Sequence, residues 1–240
     1  VPEKNLKQRI HDGEIIECVG IPTDIERGRL EEILAIREFD LLSLDSQHMA
    51  HNEERIISCC ELVREYDKPT RIRIKHTRHA YLVGTYLDLG PDGVMVPEVE
   101  EEETVDEALS AFYYPRKGKR SWGGLTRAGL DQSLDRLGYA DWWNNHGTLS
   151  LQIESVKAVL DARKLAKDGV DMLSFGANDL MFSIEANRGF PFKTIDECIR
   201  HVISEVSDLP VGVGVRAENE KERDQALELG ATILVERIDC

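Results

Sequence analysis

The sequence predicts an α/β fold of the closed (β/α)8 barrel type. Three observations lead there: eight short β-rich apolar runs, helical stripes between them, and no Gly-x-Gly-x-x-Gly turn of the kind that follows the first strand of a doubly wound nucleotide-binding sheet. A chain of 240 residues can bury a full core in one such unit, so a single barrel domain is expected over 1–240.

The first run, IIECVGI at 15–21, precedes a stripe of Leu30, Ile33 and Leu34, whose three- and four-residue spacing puts one apolar face of a helix against the sheet. The second, DLLSLD at 40–45, precedes Ile56, Ile57 and Leu62. TRIRI at 70–74 and GVMVPEV at 93–99 are the third and fourth. LSLQIE at 149–154 leads into a helix over 155–167 with Val156, Val159, Leu160 and Leu165 inward, and Gly169 is placed to end it. DMLSFGA at 171–177, PVGVGV at 210–215 and TILVERI at 232–238 complete the set, with Ala226, Leu227 and Leu229 striping the helix before the last.

Two features interrupt the alternation. The connection at about 100–147 is far longer than a simple crossover and contains Tyr113-Tyr114-Pro115-Arg116-Lys117-Gly118-Lys119-Arg120 followed by Ser121-Trp122-Gly123-Gly124. It is read either as a functional or partner-contacting excursion or as a surface insertion. The sequence also stops at Cys240, leaving no eighth helix over the last strand, so either that helix is absent from this sequence or a second subunit covers the strand. Oligomerisation is the physical expectation.

A net charge of −15 and a pI near 4.9 argue against a nucleic-acid backbone as partner, because such a surface must be basic. The local exception is Lys75, His76, Arg78 and His79, either an anion-steering patch or a solvated helix start. Five cysteines, two of them adjacent at Cys59 and Cys60, have neither metal-site spacing nor the density of a disulfide framework, which points to a reducing compartment. No apolar run approaches the roughly 20 residues of a membrane span, and Val1-Pro2-Glu3-Lys4-Asn5 has no signal-peptide pattern. A cytoplasmic protein with no membrane partner is expected.

Barrel enzymes work at the carboxyl ends of their strands. Strand two ends in Asp45-Ser46-Gln47-His48, strand three carries Arg71 and Arg73 with shared parity, strand five ends in Gln152-Ile153-Glu154, and strand six runs into Gly176-Ala177-Asn178-Asp179. Glu154 and Asp179 at neighbouring strand ends suit a hard divalent cation, Mg2+ or Mn2+ first, with Co2+ or Zn2+ as alternatives; a helix N-cap is the ordinary reading of either acid alone. Such a cation would hold a keto acid and stabilise the enolate formed when a carbon–carbon bond breaks. Arg73, in preference to Arg71, would face the oxyanion, and the backbone N–H groups of Gly176 and Ala177 would bind the carboxylate. Histidine is the side chain whose reference pKa lies close to neutrality, so His48 is the expected proton-transfer residue, with Asp45 three positions earlier orienting its ring. Arg120 would recognise a distal carboxylate or pack the connection, Trp122 would wall the pocket or do the same, and Glu98 is either a pocket residue or part of an acidic helix start.

These residues resemble the HpcH/HpaI aldolase family, metal-dependent class II pyruvate aldolases related to citrate lyase beta subunits. The resemblance covers nearly the whole sequence and rests on Asp45-Ser46-Gln47-His48, Arg73, Leu87-Asp88-Leu89-Gly90, Gly93-Val94-Met95-Val96-Pro97, the 114–120 motif, Gln152-Ile153-Glu154 and Gly176-Ala177-Asn178-Asp179-Leu180. It implies a barrel of the phosphoenolpyruvate/pyruvate-domain type, Glu154 and Asp179 as metal ligands, Arg73 on the pyruvyl oxygen and His48 as the base supported by Asp45. It also implies Gln152 beside the metal's waters, Asp88 completing the catalytic region near a subunit boundary, and hexamers built from pairs that exchange the eighth helix. Gln47, Asn178 and the basic 75–78 stretch depart from the family's usual residues. The expected reaction is aldol cleavage of a 4-hydroxy-2-oxo acid to pyruvate, or a close 2-oxo acid, and an aldehyde. The alternatives are 2-oxo acid decarboxylation, acyl-CoA ester lysis of the citrate-lyase-beta type, and a barrel retained for binding or assembly.

Overall fold

The computed structural model describes residues 4–237. Eight parallel strands close on themselves in chain order: β1 (Ile16–Gly20), β2 (Leu41–Asp45), β3 (Thr70–Arg73), β4 (Gly93–Val96), β5 (Thr148–Ile153), β6 (Met172–Phe175), β7 (Gly212–Arg216) and β8 (Ile233–Arg237). The seam is the β1–β8 pair, in register from Ile16 opposite Ile233 to Gly20 opposite Arg237. The helices are α1 (Leu6–His11), α2 (Arg27–Ile36), α3 (Glu53–Arg64), α4 (Val83–Leu87), α5 (Glu102–Phe112), α6 (Arg136–His146), α7 (Val156–Leu160), α8 (Ala162–Leu165), α9 (Ala177–Ala186), α10 (Ile195–Val206) and α11 (Glu220–Leu229). All eight predicted strands are present. The helix predicted over 155–167 is interrupted at Asp161, whose φ of −97° and ψ of 9° separate α7 from α8, and Leu160 faces solvent. The expectation about a covering eighth helix lies outside the described residues. Among them, no helix is long and apolar enough to cross a membrane.

Burial explains the architecture. β4, β5 and β6 are buried along their whole length, as strands of a parallel sheet must be when helices cover one face and a packed lumen the other. Leu30 and Ile33 of α2, Ile56 and Val63 of α3 and Val202 of α10 join one core cluster with Leu42, Ile72 and Leu173 of the strands. The long connection is itself structured by α5 and α6, where Trp143 donates its indole N–H to the Phe112 carbonyl at 3.0 Å. α1 is tied to the amino end of the barrel by Lys7, whose buried ammonium donates to Tyr113 Oη and the Gly147 carbonyl at 2.9 Å and pairs with Asp171 at 3.0 Å.

Inside the barrel, register sets which side chains stack. Ser43 lies opposite Arg71 and Asp45 opposite Arg73 across β2 and β3. Arg71 occupies the lower of these two positions and is fully buried. It donates to Ser43 Oγ at 3.4 Å and to the sulfurs of Cys18 at 3.6 Å and Met172 at 3.7 Å, while its Nε has no partner. Among the described residues it makes no ion pair, and burial pushes its pKa below the usual guanidinium value. A charge taken out of water with only neutral, mostly sulfur, partners is poorly repaid. Replacing Arg71 with methionine is therefore expected to raise stability by about 1–4 kcal/mol, read as a higher urea midpoint; a lower midpoint would show that the guanidinium supports the barrel.

Candidate active site

The carboxyl ends of β2, β3, β5 and β6 bring the polar residues together. Asp45 ends β2 and accepts from Arg73 through both oxygens, one contact being Nε to Oδ1 at 2.9 Å and the other Nη2 to Oδ2. The Gln47 backbone N–H donates to the same carboxylate at 2.9 Å. Burial alone would raise the Asp45 pKa, but the Arg73 guanidinium and the two following backbone N–H groups hold it below the ordinary carboxylate range. Arg73 has a third contact, Nη1 to Gln152 Oε1 at 3.3 Å. Its fork is thus fixed in plane by a neighbouring strand, with β5 beside it.

Gln152 on β5 and Glu154, one residue past its end, share parity, and both are buried. Glu154, only 6% exposed, accepts the Glu98 backbone N–H through Oε1 at 2.6 Å. Burial pushes the Glu154 carboxyl up to about 7, and the neighbouring Asp179 charge adds to the rise. Gly176 follows β6 and caps α9, and no larger residue fits there: a Cβ would stand 2.4 Å from Glu154 Oε2. Its N–H donates to the Ile153 carbonyl at 3.0 Å and is not free for the donor role predicted for it. Ala177 and Asn178 open α9, where N–H groups lack partners within the helix and the dipole favours an anion. Asp179 stands exposed in that same first turn.

Other predicted residues sit differently. Asp45 reaches the backbone N–H of His48 at 3.4 Å and not its ring, because the carboxylate is committed to Arg73; His48 itself is exposed at the barrel mouth. Asp88, Arg120 and Trp122 form a separate group. Asp88 follows α4 and precedes β4, which places it at the amino end of the strands, away from the mouth. There it pairs with Arg120 at 2.9 Å, and the buried guanidinium stacks over Tyr114 and Trp143 at 4.8 and 4.4 Å. Gly124, at φ +76°, closes over Asp88, where a Cβ would approach within 2.7 Å. Trp122 is 42% exposed and packs on Tyr114 and Tyr139. Within one chain these three residues do not join Arg73 and Glu154. In the basic stretch, His76 caps a 3-10 turn over Thr77–Leu82 by accepting the Arg78 N–H. The helix-start reading therefore describes it.

Glu154 and Asp179 stand at the mouth close enough for the charge of one to act on the other. Among the described residues no group of three or more His, Cys, Asp or Glu side chains is arranged to hold a metal ion. The pair nevertheless fits a hard cation, since a buried carboxylate raised by a neighbouring acid is relieved by a positive charge between them. Glu154 and Asp179 would hold it, and the rest of its shell would be water and substrate oxygens.

A family model described as HpcH/HpaI aldolase/citrate lyase matches residues 26–234. The chain belongs to the HpcH/HpaI aldolase/citrate lyase family. A hydroxypyruvate/pyruvate aldolase of Agrobacterium fabrum is 26% identical over 235 residues, which cover 97% of this chain and 86% of that protein. A 5-keto-4-deoxy-D-glucarate aldolase of Shigella boydii is 25% identical over 207 residues, 85% of this chain and 78% of the relative. Among solved structures, an HpcH/HpaI aldolase from Desulfitobacterium hafniense superposes with a TM-score of 0.83 at 24% identity, over 99% of this chain and 91% of the other, a likeness of fold. As an HpcH/HpaI member the protein is an enzyme of the aldolase/citrate-lyase type that acts on carbon–carbon bonds, and membership implies metal dependence.

Proposed function

We propose that the enzyme catalyses reversible aldol cleavage of a 4-hydroxy-2-oxo acid, giving pyruvate or a close 2-oxo acid and an aldehyde. The observation that carries this reading is the Arg73 guanidinium locked to Asp45 and bonded to Gln152 at 3.3 Å, next to the paired acids Glu154 and Asp179. The relatives named for pyruvate, hydroxypyruvate and a keto-deoxy sugar acid support the substrate class.

Glu154 and Asp179 would hold a divalent cation, Mg2+ or Mn2+ by donor type, which would supply Lewis-acid stabilisation for a developing enolate. Arg73 donates to the 2-oxo oxygen as charge develops, needing no reorganisation because Asp45 already holds it. Ala177 and Asn178 bind the substrate carboxylate through their N–H groups. His48 takes the proton from the 4-hydroxyl, the C3–C4 electron pair passes into the enolate, and the aldehyde leaves. Protonation of the enolate at C3 then gives the 2-oxo acid.

The working unit in this reading is a homo-oligomer, a hexamer by resemblance, of barrels of the phosphoenolpyruvate/pyruvate-domain type. Asp88, with Arg120 and Trp122, would complete the region at a subunit boundary, and the 93% exposure of nearby Leu125 supports a contact there. The buried, unpaired thiols of Cys18, Cys59, Cys60 and Cys198 support a cytoplasmic location.

The test is incubation with Mg2+ or Mn2+ and a panel of 4-hydroxy-2-oxo acids, oxaloacetate and citramalyl-CoA. Pyruvate and an aldehyde are expected from the first group. Their absence under conditions where the metal still binds sinks the aldolase reading; turnover of oxaloacetate alone would make the enzyme a decarboxylase, and of the thioester alone an acyl-CoA lyase.

A further inference from the structure

We propose that Glu98 is a positioning residue that orients the Glu154 carboxylate through a bridge tying together the ends of β2, β3 and β4. This rests on the reading of Glu154 as a metal ligand. β4 ends at Val96, Pro97 cannot donate to a neighbouring strand, and Glu98 then turns into the left-handed region with φ +53°. A side chain there is unfavourable and persists only where the surroundings hold it. Three contacts do so. The Glu98 N–H donates to Glu154 Oε1 at 2.6 Å, Gln47 Nε2 donates to Glu98 Oε1 at 3.2 Å, and His76 Nε2 faces Glu98 Oε2 at 3.5 Å.

The chemistry of each partner fits the bridge. His76 Nδ1 accepts the Arg78 N–H at 3.0 Å, so in the neutral ring the proton sits on Nε2 and points at Glu98. Gln47 can donate where a carboxylate at the same position would repel Glu98, which gives the neutral residue a job. The consequence falls on Glu154. With Oε1 occupied by a backbone N–H, Oε2 lies against Gly176, at the start of the helix that carries Asp179. The backbone turn at Glu98 thereby decides which oxygen of Glu154 is presented beside Asp179. Residues that only orient a ligand typically change metal affinity about 10–100-fold when removed.

The experiment is calorimetric Mn2+ titration of the full chain, with thermal melting and steady-state kinetics alongside. Gln47→Leu cuts one tether, Glu98→Gly cuts both side-chain tethers while keeping the N–H and a residue at ease at positive φ, and Glu98→Gln restores a side chain that accepts from Gln47. The expected result is Mn2+ binding weakened about 10-fold in the first two, kcat reduced more than the substrate KM, partial rescue in Glu98→Gln, and a Gln47→Leu/Glu98→Gly double variant no weaker than Glu98→Gly. Affinities within twofold of the parent in folded Gln47→Leu and Glu98→Gly overturn the proposal, as do additive losses in the double variant. If Glu98→Gly does not fold, Gln47→Leu and His76→Phe decide by the same affinity criterion. Glu154→Ala separates the two readings: its loss of Mn2+ binding with normal binding in the bridge variants overturns only the bridge, whereas normal binding in Glu154→Ala overturns the ligand assignment itself.

Discussion

Arg73→Lys lowers kcat for aldol cleavage by about 10²–10³-fold, the usual cost of losing one preorganised donor to a developing oxyanion. A lysine keeps the charge but not the fork. Arg73 spends two donors on Asp45 and directs a third towards Gln152, and one ammonium cannot satisfy a bidentate carboxylate while also reaching substrate. The loss falls on kcat and kcat/KM alike, because the interaction strengthens only as charge builds on the oxygen. Steady-state kinetics with circular dichroism as a folding control measures it. A loss under about threefold would remove Arg73 from the transition state.

Glu154→Gln and Asp179→Ala should each weaken Mn2+ binding more than about 100-fold, beyond what residues that merely orient a ligand cost. The two differ in their effect on folding. Glu154 is buried, and burial already drives its carboxyl up to about 7, so the neutral isostere relieves a cost while its carbonyl oxygen still accepts the Glu98 N–H. Its apo melting temperature is expected to equal or exceed the parent's. Asp179 is exposed in the first turn of α9, and its loss removes a favourable charge at a helix N-terminus, so a small decrease is expected. Calorimetric titration and scanning calorimetry read both effects. Unchanged affinity in both variants defeats the ligand assignment.

The barrel was legible because burial on two faces leaves a run of apolar letters wherever a strand lies. Strand ends were less so. GVMVPEV reads as one strand over 93–99, yet β4 stops at Val96 because Pro97 has no N–H and Glu98 turns left-handed, a conformation no non-glycine letter announces. DMLSFGA likewise loses its end because Gly176 caps a helix. At the mouth, the shared parity of Arg71 with Arg73 and of Gln152 with Glu154 was legible, whereas the contact of Arg73 with Gln152 at 3.3 Å came only with the structure. The partner of Asp45 was not readable in the same way. Its nearness to His48 in sequence suggested a local contact, whereas parallel pairing puts it opposite Arg73, 28 positions away. Asp88 was distinguishable in principle, since a residue before a strand and a residue after one lie at opposite ends of a parallel barrel.

The seam between β1 and β8 also bears on how this chain is made. Ile16 leaves the ribosome well ahead of Ile233, which follows it by 217 positions, yet each is the other's partner. Until β8 emerges, β1 has a raw edge, and every newly emerged strand presents another. Contacts of such sequence separation form slowly, and the nascent chain meets other chains meanwhile. Closing the ring thus waits on the strand pair most distant in sequence, and the interval before it is when unpaired edges stand open to other chains.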